Sequence, residues 1–122
     1  MPDLKVLLVD DELEFLEPLS TRLARRGVSC SMATSGEDAL RALAGRQFDC
    51  AVVDVKMPGM DGLELLRRMR RDFPAMGVVL LTGHASVELG VQGMELGAFD
   101  YLLKPLDLDE LLDVVRRAAL HT

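Results

Sequence analysis

Residues 51–62 read Ala-Val-Val-Asp-Val-Lys-Met-Pro-Gly-Met-Asp-Gly. The stretch opens on a short apolar run, reaches a single acid at Asp54, and continues into a Pro-Gly turn. Short apolar runs that are bounded by turn residues are typical of buried strands in a parallel sheet. Open parallel sheets carry their chemistry just beyond the carboxyl ends of the strands. The stretch therefore predicts a buried strand with Asp54 at the functional edge of the sheet.

Three other apolar runs end in polar residues in the same way. Asp10 and Asp11 follow residues 6–9, Thr82 follows residues 78–81, and Lys104 follows residues 101–103, with Pro105 after it. Because the carboxyl ends of parallel strands meet at one edge of a sheet, we expect an acid pair, a lone acid, a hydroxyl and an amine to converge there.

The whole chain alternates short apolar runs with longer amphipathic stretches, which predicts an α/β fold with a parallel sheet. Helix starts are marked at Ser35, Asp61 and Asp107, each of which has an acid three residues later. The predicted strands cover about residues 5–9, 28–32, 50–54, 77–82 and 100–103, and the predicted helices about residues 13–26, 35–44, 61–73, 86–96 and 107–120.

Two of the predicted helices contain residues that weaken helices. Pro18 lies inside the first helix and is expected to bend it unless it falls within the first turn. Gly90 and Gly93 lie inside the fourth, and each costs about 1 kcal/mol relative to alanine. Two explanations for the glycines stay open: close packing that requires small residues, or a helix that is poised to shift or partly unwind.

Composition indicates a single cytoplasmic domain. The chain has 122 residues, of which 49% are hydrophobic, and a net charge of -6. No apolar run approaches the roughly 20 residues of a membrane helix, and no signal peptide is recognisable. The negative charge argues against direct nucleic-acid binding, and the arginine clusters at residues 22–26 and 67–71 are interpreted as solvated helix faces. Cys30 and Cys50 are expected to be free buried thiols rather than a disulfide or zinc ligands.

Three carboxylates crowded at one edge repel one another unless a cation joins them. Asp10, Asp11 and Asp54 are hard oxygen ligands in a small number, the set that favours Mg²⁺ together with waters and phosphate oxygens. The sequence therefore predicts a magnesium site at the edge of the sheet that carries Asp54.

The motifs at residues 10–11, 54–62, 82 and 101–105, in this order, resemble the receiver domain of bacterial response regulators, and the resemblance extends from Lys5 to about Leu120. It implies a doubly wound (βα)5 domain with strand order 2-1-3-4-5 and helices on both faces. Residues 1–122 would form one receiver domain, either free-standing or excised from a larger regulator.

The resemblance also implies the chemistry of the site. Asp54 would be the phosphoacceptor, and Mg²⁺ would be held by Asp11, Asp54 and the backbone carbonyl of Lys56, with Asp10 acting through water. A carboxylate can attack phosphorus as a nucleophile. The phosphoryl group spreads negative charge over three oxygens during transfer, so nearby cations stabilise it. Lys104 would supply positive charge opposite the metal. The resemblance also implies that the chain catalyses only its own phosphorylation and dephosphorylation.

Further roles are implied for residues around this site. Thr82 would belong to the catalytic set with Asp54 and Lys104 and would also form the switch pair with Tyr101. The Lys104-Pro105 peptide bond would be cis. Lys56 and His84 occupy positions that tune the loss of the phosphoryl group. The phosphodonor would be a sensor histidine kinase or a histidine phosphotransfer protein. The surface of the fourth helix, fifth strand and fifth helix would contact an output domain or a second receiver.

Other functions remain as alternatives. A phosphatase with an aspartyl nucleophile would need a second acid at position 56, where the chain has lysine, and a flavodoxin would need a hydroxyl-rich and glycine-rich loop in place of Asp10 and Asp11. A receiver-like interaction module that is never phosphorylated is the remaining alternative. It would fail to gain a phosphoryl group from a small-molecule donor.

Overall fold

The structure is a computed structural model, and it describes residues 3–120. His121, one of the two histidines of the chain, lies outside these residues. The order of the elements is β1 Leu4–Val9, α1 Leu13–Ala24, β2 Val28–Ala33, α2 Gly36–Gly45, β3 Cys50–Asp54, α3 Gly62–Asp72, β4 Gly77–Thr82, a 3₁₀ turn His84–Ser86, α4 Val87–Glu95, β5 Asp100–Leu103 and α5 Leu108–Leu120.

The five strands form one parallel sheet in the order β2-β1-β3-β4-β5. Side chains alternate between the two faces of each strand, so the sheet separates the core into two layers. On one face, Val6 and Leu8 pack with residues of α1 and α5. On the other face, Leu7 and Val9 pack with residues of α2 and α3. The predicted doubly wound α/β fold and its strand order are confirmed.

Three helix starts follow the expected capping pattern. The side chains of Ser35, Asp61 and Asp107 accept hydrogen bonds from the backbone N–H groups three residues later, at 3.1, 2.9 and 3.1 Å. Each bond satisfies one of the donors that a helix leaves unpaired at its amino end. The first helix ends at Ala24, two residues earlier than predicted, and Gly27 follows with φ of 82°. Pro18 is the sixth residue of that helix, beyond its first turn.

The fourth helix begins one residue later than predicted, because residues 84–86 form a 3₁₀ turn. Both of its glycines are buried against the sheet. A Cβ atom at Gly90 would lie 2.8 Å from Cδ2 of Tyr101, and a Cβ at Gly93 would collide with Leu80. The structure therefore gives both glycines a packing reason, since a larger residue would push α4 away from β4 and β5.

Both cysteines are free thiols, with Cys50 buried and Cys30 partly buried. Burial raises the pKa of Cys30 to about 11 and that of Cys50 to about 12. Among residues 3–120, no helix combines the length and the apolar character that crossing a bilayer would require.

Candidate functional site

The polar residues predicted to converge do meet at the carboxyl edge of the sheet. Asp54 is the last residue of β3 and Thr82 the last of β4, while Asp10 directly follows β1 and Lys104 directly follows β5. The register aligns these ends, because Asp54 pairs with Leu81, and Thr82 with Leu103. A backbone hydrogen bond of 2.8 Å from Lys104 N–H to the Thr82 carbonyl extends the ladder by one residue.

The ammonium group of Lys104 lies at the centre of the site. Its Nζ donates to Oδ2 of Asp10 at 2.7 Å and to Oδ2 of Asp54 at 3.4 Å. The Lys104 side chain is only 23% exposed, so these contacts are shielded from bulk water. Burial alone would lower the pKa of Lys104. The hydrogen bond to Asp10 and the charges of Asp54 and Asp10 outweigh burial and raise that pKa above its ordinary value. The amine is therefore held in its charged form.

Asp54 is buried, with 8% of its surface exposed. Its Oδ1 accepts the backbone N–H of Lys56 at 3.1 Å. Burial raises the pKa of the Asp54 carboxyl above its ordinary value, the Lys56 N–H and the Lys104 charge oppose this, and the charge of Asp10 adds to it. The first residue of α3 lies against this residue, since a Cβ at Gly62 would collide with the backbone carbonyl oxygen of Asp54.

Asp10 is completely buried, and its Oδ1 accepts the backbone N–H of Glu12 at 2.9 Å. Asp11 and Glu12 are exposed beside it, and one carboxylate oxygen from each of the three residues lies within 4.8 Å of the others. Asp54 is outside this group and is linked to Asp10 through the Lys104 ammonium. Carboxylate oxygens are hard ligands of the kind that Mg²⁺ prefers, usually one or two of them together with waters. The residues present therefore fit this metal.

Thr82 and Tyr101 are positioned next to the 3₁₀ turn and α4. The buried Thr82 hydroxyl donates to the backbone carbonyl of Ser86 at 2.8 Å and also lies 3.2 Å from the carbonyl of Gly83. The half-buried ring of Tyr101 packs where a Cβ at Gly90 would have to be. In this conformation Thr82 is bonded to the turn that leads into α4 and makes no hydrogen bond to Asp54.

The remaining predicted residues lie at the rim of the site. Lys56 and His84 are both exposed, one in the β3–α3 loop and the other at the start of the 3₁₀ turn. The peptide bond between Lys104 and Pro105 is cis.

Three residues that the structure brings to the site were not predicted from the sequence. Glu12 continues the acidic run and was visible as such. The centroid of the Phe15 ring lies 4.3 Å from Nζ of Lys104, a contact between distant positions that no local sequence pattern indicates. Ser86 contributes its backbone carbonyl to Thr82, a contact that no side-chain pattern reveals.

Comparison with known protein families finds one whose model matches residues 6–116, the response regulator receiver domain. Among curated relatives, the DNA-binding transcriptional regulator NtrC of Escherichia coli strain K12 is 39% identical over 116 residues, which are 95% of this chain and 25% of the relative. The regulatory protein AtoC of the same strain is 41% identical over 114 residues, 93% of this chain and 25% of the relative. The chain thus spans about a quarter of the length of these relatives.

Solved structures agree with this assignment. A response regulator receiver domain protein from Clostridium thermocellum superposes with a TM-score of 0.91 at 31% identity, covering 96% of this chain and 94% of the other. The receiver domain of NtrX from Brucella abortus superposes with a TM-score of 0.91 at 30% identity, covering 96% and 99%. With the family model matched over most of its length, this chain belongs to the response regulator receiver domain family.

Proposed function

We propose that this receiver domain accepts a phosphoryl group on Asp54 from a phosphohistidine of a sensor histidine kinase or a histidine phosphotransfer protein. The observation that carries the proposal is the Lys104 ammonium, which contacts the buried Asp10 at 2.7 Å and Asp54 at 3.4 Å. A partly buried cation beside the buried Asp54 carboxylate suits a transferring phosphoryl group, because negative charge develops on the phosphoryl oxygens.

In the transfer, a lone pair of an Asp54 carboxylate oxygen forms a bond to phosphorus. The P–N bond to the donor imidazole breaks, and its electron pair returns to the imidazole nitrogen. The product is an acyl phosphate on Asp54. Lys104 stays within reach of the new phosphoryl oxygens and balances their charge. No basic side chain is needed, since the attacking group is already a carboxylate.

Mg²⁺ would be held by Asp11, Asp54 and the backbone carbonyl of Lys56, with Asp10 acting through water. When bound, it would neutralise these acids and part of the negative charge of the phosphoryl group. Glu12 lies close enough to Asp10 and Asp11 to add a further carboxylate to the rim of the metal site.

The domain would catalyse only reactions of its own Asp54. Attack of water on phosphorus, with breakage of the bond between phosphorus and the Asp54 oxygen, would return the carboxylate and release inorganic phosphate. Lys56 and His84 would modulate this loss, because both are exposed beside the mouth of the site, where water must enter.

The signal would be read from the surface of α4, β5 and α5. A phosphoryl group on Asp54 would compete with the Ser86 carbonyl for the hydroxyl of Thr82, which now donates to that carbonyl at 2.8 Å. Loss of this bond would free the turn before α4, and the ring of Tyr101 would move into the space vacated by Thr82. The changed surface would contact an output domain or a second receiver, and the net charge of -6 does not suit this domain for nucleic acid.

Mass spectrometry of the intact protein tests the proposal. The chain is incubated with Mg²⁺ and acetyl phosphate, and we expect a gain of one phosphoryl mass. The Asp54→Asn variant, which keeps the size of the side chain, should gain none, and chelation of Mg²⁺ should prevent the gain in the wild type. A wild-type protein that gains no mass would favour the alternative of an interaction module that is not phosphorylated.

A further inference from the structure

Phe15 contacts the central amine of the site in addition to the two acids. It is the third residue of α1, which starts directly after the acidic residues 10–12. Its ring lies under Nζ of Lys104, with 4.3 Å between Nζ and the ring centroid. An ammonium within about 6 Å of an aromatic face is attracted by the negative potential of that face.

The ring completes the surroundings of the ammonium. A lysine ammonium has three N–H donors. The oxygens of Asp10 and Asp54 account for two directions, at 2.7 and 3.4 Å, and the face of Phe15 occupies a further side of the same nitrogen. The flexible four-carbon stem of a lysine would otherwise leave the amine many conformations. The ring contact, added to the two hydrogen bonds, restricts the amine to fewer of these conformations.

Phe15 also has a packing role, since it is partly buried against the core layer between the sheet, α1 and α5. An aliphatic side chain would fill much of the same space but would offer no π face to the ammonium. Leucine and tyrosine therefore separate the two roles: leucine keeps apolar packing without the ring, and tyrosine keeps the ring.

We propose that Phe15 is a positioning residue that holds the Lys104 ammonium in place for phosphoryl transfer to Asp54. This inference rests on the function proposed above. During the transfer, the contacts of the amine to carboxylate oxygens would give way to contacts with phosphoryl oxygens. The contact with Phe15 would persist, because it uses the ring face and not a hydrogen bond that a phosphoryl oxygen would replace.

The test compares the rate constant of phosphorylation by radiolabelled acetyl phosphate with Mg²⁺ in wild type, Phe15→Leu and Phe15→Tyr. We expect Phe15→Leu to be slower by about fivefold, the loss that corresponds to a partly shielded cation–π contact. Phe15→Tyr should stay within about twofold of wild type. In a Lys104→Met background, Phe15→Leu should have no further effect, a result that a purely structural role would not produce.

A second measurement is independent of phosphorylation. In the unmodified protein, the ring current of Phe15 should shift the Lys104 ε-methylene protons upfield in the NMR spectrum, and Phe15→Leu should abolish the shift. Circular dichroism checks that each variant is folded, and Phe15→Met replaces Phe15→Leu if the latter is not.

The outcomes separate the inference from the proposed function. A wild type that takes up no phosphoryl group overturns both. If the wild type is phosphorylated, three results would overturn the role of Phe15 alone. Phe15→Leu could react at the wild-type rate, or the fivefold fall in the rate constant could persist in the Lys104→Met background. The third is the absence of the upfield shift of the Lys104 ε-methylene protons.

Discussion

Replacing Lys104 with methionine should destabilise the protein, because it leaves two buried carboxylates without their cation. Methionine keeps most of the apolar stem and removes the charge. Asp10 is 0% exposed, and within residues 3–120 its side chain would keep only the hydrogen bond from Glu12 N–H. From the same residues, the Asp54 side chain would keep only the hydrogen bond from Lys56 N–H. The two acids would then repel each other across a poorly solvated gap.

The size of the effect follows from the burial of the three side chains. Removing one partner of a fully buried ion pair costs about 3–5 kcal/mol. The Lys104 side chain is 23% exposed and that of Asp54 11%, so water can partly replace the amine. Because of this exposure we expect a smaller loss than for a fully buried pair, with the free energy of unfolding falling by about 2–3 kcal/mol at pH 7.

Urea unfolding followed by far-ultraviolet circular dichroism measures this change, since the chain has no tryptophan. The matched control is Lys5→Met, which alters the net charge equally at an exposed residue that forms no ion pair within residues 3–120. The control should lie within about 0.5 kcal/mol of wild type. If Lys104→Met were as stable as Lys5→Met, the amine would not be compensating the buried acids and our account of the site would be refuted.

Three further predictions concern other parts of the chain. Burial raises the pKa of Asp54 in the folded protein, so protonation of this carboxyl stabilises the fold. The stabilisation is present below about pH 4 and is lost as the pH rises through the higher pKa of the folded state. Asp54→Asn should therefore unfold at a higher urea concentration than wild type at pH 7 and at the same concentration at pH 3. Gly90→Ala should lower the free energy of unfolding by about 1 kcal/mol, because displacing the Tyr101 ring costs more than the gain in helix propensity. The control Gly45→Ala should not be destabilising, because a Cβ there meets no atom within 4 Å. Equal changes in the free energy of unfolding at both positions would contradict this prediction. Cys50, whose pKa burial raises to about 12, should resist a thiol reagent at pH 8 until the protein is unfolded, and reaction at the rate of a free thiol in the native protein would show that it is accessible.

Much of the fold could be predicted because local signals agree with the global pattern. Ser35, Asp61 and Asp107 mark helix starts by a mechanism that operates within one turn. The short β-branched runs bounded by turn residues identify the strands without knowledge of their neighbours. The end of α1 was predicted two residues too late, because helix ends fray and carry weak sequence signals. The 3₁₀ turn at residues 84–86 was missed because the hydrogen bond from the Thr82 hydroxyl to the Ser86 carbonyl uses a backbone acceptor that no side-chain pattern shows.

The sequence predicts which residues at the strand ends form the candidate site, but not all of the contacts that they make. Parallel strands bring the residues at their carboxyl ends together, so the convergence of Asp10, Asp54, Thr82 and Lys104 follows from the strand pattern. The Phe15 contact with Lys104 joins residues almost ninety positions apart, and it depends on the angle at which α1 leaves the sheet. The fit of Gly90 against Tyr101 likewise depends on how α4 packs, so composition alone left two explanations open.

The most direct test of the central claim is chemical mapping of the phosphorylated residue. An acyl phosphate is reduced by borohydride, which converts the modified aspartate to homoserine, and peptide mass spectrometry then locates that residue. After incubation with Mg²⁺ and acetyl phosphate, our account predicts homoserine at position 54 and at no other acid. Homoserine at position 10 or 11, or no homoserine in a protein that has gained phosphoryl mass, would contradict it.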